Sequence, residues 1–123
     1  MNKDYGLDKH PITELFKQPK SAEEWQNYVL SEEQVKHYKD YGFVKDIKIL
    51  NEEQIERLRD DLQKLADPSN PGNEFFYEYN SNESENPDTV LFHALGAWRV
   101  SPVFHDILWA PAFRMVAYQL IGK

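Results

Sequence analysis

The sequence predicts an α+β domain with few, mostly antiparallel strands. Two boxes, Ser31-Glu32-Glu33-Gln34 and Asn51-Glu52-Glu53-Gln54, each open a stretch of helical periodicity. Three short runs rich in β-branched and aromatic residues, Phe43 to Leu50, Phe75 to Tyr79 and Thr89 to His93, read as strands. Two proline-led apolar segments, starting at Pro102 and Pro111, close the chain as helices.

In chain order, residues 1–20 mix charges with Pro11 and Pro19 and show no period, so they read as an irregular leader with one short turn around Thr13 to Phe16. Residues 21–123 form the domain proper. Ser21-Ala22-Glu23-Glu24 is a third capping box, after which Trp25, Tyr28 and Val29 share one face of a short helix expected to pack beside the next. From Glu32 to Tyr41, Val35, Tyr38 and Tyr41 mark a narrow apolar stripe, while Gly42 supplies the left-handed residue that stops a helix. The helix after Asn51 carries Ile55, Leu58, Leu62 and Leu65 in register, has Glu53/Arg57 and Asp60/Lys64 as i,i+4 pairs, and should end near Asp67, before Pro68.

Pro68 to Asn73 is turn-rich, and the polar segment Asn80 to Asp88 separates the last two strands, which then make a long-looped hairpin. Ser101-Pro102 is a cap followed by proline at the first helical position, with Val103, Phe104, Ile107 and Leu108 on helical spacing. In the final helix Phe113, Val116, Ala117, Leu120 and Ile121 form a wide apolar face, and Gly122 is the stop.

A chain of 123 residues is long enough for one core, and 41% hydrophobic with 14% aromatic residues suits a folded domain even at a mean hydropathy of −0.73. The charge of −7 opposes nucleic acid and anionic membrane surfaces as partners. Without cysteine there is no disulfide, thiolate metal site or cysteine nucleophile. The sequence offers neither a secretory signal nor a run of ~20 apolar residues, so a cytoplasmic location is expected, and Asn82-Glu83-Ser84 is set aside as a glycosylation acceptor.

Of the four histidines, His37 and Asp40 stand at i,i+3 but lack a third ligand, which leaves a solvated helix face. His105 and Asp106 are sequence neighbours and should point to different sides of their helix, a poor arrangement for a catalytic pair. His93 closes an apolar strand, and Trp98-Arg99 could stack on a ligand, although core packing is the plainer role for Trp98. No phosphate loop, nucleophile elbow or His-Glu-x-x-His pattern occurs.

Taken together, Leu30 to Gln34, Tyr41-Gly42-Phe43-Val44, Leu50 to Gln54 with Leu58-Arg59, Phe92-His93 to Trp98-Arg99-Val100, and Pro111-Ala112-Phe113 to Leu120-Ile121-Gly122 resemble the amino-terminal part of the phytanoyl-CoA dioxygenase family. The resemblance implies a non-haem Fe(II)/2-oxoglutarate oxygenase that hydroxylates a small organic substrate on a double-stranded β-helix, or jelly-roll, core. Its iron would be held by a His-x-Asp motif with a second His, and this chain contains no His-x-Asp or His-x-Glu. No catalytic, cofactor-binding or metal residue is therefore carried over, and neither Fe(II) nor 2-oxoglutarate is expected to bind this chain by itself. The chain is expected to be the helix-rich front portion of such an enzyme, with Phe92, His93 and Trp98 near the substrate mouth. The alternative is a complete, non-catalytic interaction protein that docks, or self-associates, through its apolar C-terminal helix.

Overall fold

The computed structural model describes residues 2–122 and is α+β: about half of the chain is helical, with one two-stranded antiparallel sheet. The helices are α1 (Ala22–Trp25), α2 (Glu32–Tyr41), α3 (Glu52–Ala66), α4 (Ala97–Val100), α5 (Pro102–Asp106) and α6 (Pro111–Ile121), and the strands are β1 (Glu78–Asn80) and β2 (His93–Leu95). Short 3₁₀ turns lie at Tyr5–Leu7, Gln26–Tyr28, Asn73–Phe75 and Ile107–Trp109. Among the described residues no helix is long and apolar enough to cross a membrane.

Local chemistry sets the long helices where the sequence places them. Ser31 and Asn51 each accept from the amide three residues on, and Gln34 and Gln54 each accept from the cap's own amide, closing both capping boxes. Gly42 ends α2 at φ +81°, and α3 gives way at Asp67 as expected. The Ser21 box is only half made: Ser21 caps Glu24, but the Glu24 carboxylate accepts from the Lys20 amide instead of the cap's. Ser101 caps α5 through the Phe104 amide and also donates to Asp61 Oδ2 at 2.6 Å, tying α5 to α3.

Several expectations need correction. Phe43 to Leu50 is not a strand; no neighbouring strand pairs with it, and Asp46 takes φ +60°, which interrupts any extended run. The hairpin is shorter and displaced: Asn73–Phe75 forms a turn after left-handed Gly72, so β1 begins at Glu78, and of the Thr89–His93 run only His93 enters the ladder. The register pairs Glu78 with Leu95, Tyr79 with Ala94 and Asn80 with His93, and Asn82 Oδ1 organises the loop by accepting from Ser84 and Leu91. On α3 the ion pairs are Glu56–Arg59 and Asp61–Lys64 at i,i+3, not Glu53/Arg57 and Asp60/Lys64. The Gln26–Tyr28 turn packs on α6 rather than on α2, and the leader's 3₁₀ turn lies at Tyr5–Leu7 with only bends at Thr13 to Phe16.

The core is small. Phe16, Val103 and Ala110 are each about 1% exposed, and Leu15, Leu50, Leu58 and Ile107 pack against them. The leader thus supplies the largest buried side chain of the fold. Leu65 is buried on α3, but Leu62 is exposed, and so are Phe113, Ala117 and Ile121 on α6.

Candidate functional site

The buried polar centre of the molecule is Asp106, the last residue of α5, with no solvent exposure. Its carboxylate accepts from the Ile12 amide (2.8 and 3.0 Å), the Thr13 amide (2.5 Å) and the Thr13 hydroxyl (2.7 Å), so the leader is fastened by groups more than 90 residues away in sequence. His105, 3% exposed, lies with Nδ1 2.9 Å from Asp106 Oδ1 and Nε2 3.2 Å from the Asp8 carbonyl oxygen. Contrary to the expectation of diverging neighbours, the two side chains meet, and the leader groups at Asp8, Ile12 and Thr13 hold both in place. Burial raises the Asp106 pKa, but hydrogen bonds from Thr13, His105 and the two leader amides outweigh it and hold the carboxyl below the usual range. Both oxygens and both ring nitrogens are occupied by the protein, so this pair is an anchor and offers no free base to a substrate.

The leader's other end is held by Arg99 on α4, whose guanidinium forks onto the Asp4 carboxylate at 2.5 to 3.2 Å. Hydrogen bonding to Arg99 lowers the Asp4 pKa. The guanidinium also lies 4.6 Å from the Tyr77 ring centroid, a cation–π contact.

Phe92, His93 and Trp98 surround the hairpin without converging on one point. Phe92 meets Tyr79 edge-on at 5.7 Å, His93 Nε2 is 3.1 Å from Glu78 Oε2, and Trp98 lies 5.9 Å from Tyr77 beyond Gly96. Gly96 turns the chain from β2 into α4 at φ +107°, with Tyr77 packed where a Cβ would project.

A cavity of about 710 Å³ lies elsewhere and is lined by none of those three residues. Its apolar lining is Leu15 and Phe16 of the leader, Tyr28, Ile49, Leu50, Ala110 and Ala112, with Thr13, Asn51 and Gln54 among them. Its rim carries Glu14, Lys17, Lys48, Glu53 and Arg57. The volume is that of a small-molecule site, and the leader anchored by Asp106 forms one wall. Composition and periodicity could not reveal this cavity, since its walls come from four separated stretches of chain.

An Fe(II) centre of the facial-triad kind needs two imidazoles and a carboxylate in reach of one point. Among the described residues no three His, Asp or Glu side chains come together to hold a metal ion, and His105 and Asp106 have their donor atoms engaged by the leader. The residues present do not fit that metal.

No protein-family model matches the chain, and no curated protein matches it.

Proposed function

We propose that this chain is the amino-terminal scaffold of an Fe(II)/2-oxoglutarate dioxygenase of the phytanoyl-CoA dioxygenase type, whose helices buttress a jelly-roll core that supplies the iron ligands. The observation that carries the reading is unpaired surface. A compact monomer of this mass exposes about 6,900 Å², whereas the chain exposes 9027 Å². The surplus of roughly 2,100 Å² is of the size that large permanent interfaces bury. Thirteen large hydrophobic residues are exposed against six buried apolar ones among the described residues. Four of them, Leu108, Phe113, Tyr118 and Ile121, all between 47 and 73% exposed, lie on α6 and the turn before it. In this reading α6 packs on the core barrel, and Phe92, His93 and Trp98 face the substrate mouth.

The same surface would serve an interaction protein that docks through α6, so the test must separate the two. Reading the gene past the Lys123 codon does so: an open frame with a His-x-Asp motif is expected, and the extended protein should decarboxylate 2-oxoglutarate in an Fe(II)-dependent manner. A stop codon at that point, or an extended protein without Fe(II)-dependent turnover, overturns the proposal and favours the docking protein.

A further inference from the structure

We propose that the cavity between the leader and α3 binds a small organic monoanion, its apolar body against Leu15, Tyr28 and Leu50 and its carboxylate on Arg57. This inference rests on the cavity alone and does not depend on the dioxygenase reading.

The first support is the arrangement of polarity. The apolar surface open to the cavity comes from the half-buried Leu15, Tyr28, Ile49 and Leu50, backed by the buried Phe16 and Ala110, while every charged group of the lining is solvent-exposed and stands at the rim. A ligand that fills such a site has one apolar part and one polar end.

The second is the sign and number of charges. Lys17, Lys48 and Arg57 face Glu14 and Glu53, an excess of one positive charge in a chain that carries −7 overall. One anionic group is attracted. A second would approach a carboxylate already on the rim, which selects a monoanion over a dianion.

The third is that Arg57 is uncommitted. The other arginines all have partners: Arg59 pairs with Glu56, Arg99 with Asp4, and Arg114 donates to Gln18. Glu53, one turn earlier, does not pair with Arg57, and among the described residues Arg57 forms neither an ion pair nor a hydrogen bond. A guanidinium fork matches a carboxylate in two parallel bonds, which a lysine cannot do. The wall beside it is fixed: Gln54 donates to the Leu15 carbonyl at 3.0 Å, and Asp106 fastens Ile12 and Thr13, so little ordering cost falls on binding.

The test is isothermal titration calorimetry on the 123-residue chain with 2-naphthoate, the neutral 2-naphthalenemethanol and the dianion naphthalene-2,6-dicarboxylate as probes. The expected order is naphthoate tightest. Arg57→Gln should weaken naphthoate about tenfold, the value of one charge-assisted hydrogen bond, and leave the alcohol unchanged. Glu53→Gln should tighten naphthoate, which keeps the test decisive even if circular dichroism shows that Arg57→Gln has not folded. Arg59→Gln and Phe113→Ser, away from the cavity, should change nothing. Equal affinity for acid and alcohol, no weakening in folded Arg57→Gln, loss of binding in Phe113→Ser, or no naphthoate binding at millimolar concentration overturns the proposal.

Discussion

Replacing Asp106 with Asn removes one charge and almost no volume, and so isolates the anchor from packing. Four donors converge on this carboxylate: the Ile12 amide, the Thr13 amide, the Thr13 hydroxyl and the His105 ring. An amide keeps one acceptor oxygen and turns an NH₂ toward the rest, leaving about two buried donors facing a donor, at roughly 1 to 3 kcal/mol each. The expected loss is about 2 to 6 kcal/mol, a large share of the ~5 to 15 kcal/mol typical of a whole domain. Urea unfolding followed by tryptophan fluorescence gives the total. Hydrogen exchange at the Ile12 and Thr13 amides shows whether the leader comes away first. The pH dependence has a definite sign. The folded carboxyl lies below its ordinary value, so its stabilisation is complete above about pH 4 and is lost as pH falls through the lowered folded value. The wild-type chain should therefore have a steeper acid limb than Asp106→Asn, which keeps only the part due to Asp4 and the other lowered carboxyls. A loss under about 1 kcal/mol, with both amides still protected, would refute the anchor.

The remaining predictions concern the core, the caps and the proposed mouth. Phe16→Ala should cost about 3 to 5 kcal/mol in urea titration, because its ring is 1% exposed against Val103 and Ala110; a change typical of a loose leader residue would contradict its place in the core. Asn51→Ala should cost about 1 kcal/mol and reduce helical circular dichroism, since it opens the capping box of the longest helix. Gly96→Ala should lower the melting temperature more than Gly42→Ala. Both residues have positive φ, but a Cβ at 96 meets Tyr77 Cδ2 at 3.1 Å, while at 42 it meets nothing within 4 Å. In the extended enzyme, His93→Ala should raise the substrate KM; unchanged kinetics would leave His93 as the partner of Glu78 alone.

The parts legible in the sequence are those decided within a few residues. The Ser31 and Asn51 boxes, the Gly42 stop, the end of α3 before Pro68 and the Ser101-Pro102 start of α5 all depend on partners at most four positions away. Phe43 to Leu50 misleads because strand propensity is satisfied only by a neighbouring strand, and none pairs with it here. Arg57 misleads in the other direction: spacing fits a pair with Glu53, yet both side chains are left to the cavity rim.

The Ser31, Asn51 and Ser101 caps and the Gly42 stop were thus settled by the sequence by itself, because hydrogen bonds and steric limits between near neighbours act in any context. Tertiary structure alone decided that an irregular leader would supply Phe16 to the core, that His105 and Asp106 would meet as its anchor, and that four separated stretches would enclose one cavity. Those outcomes require groups distant along the chain to be brought together and desolvated, and no local pattern records which distant group will arrive.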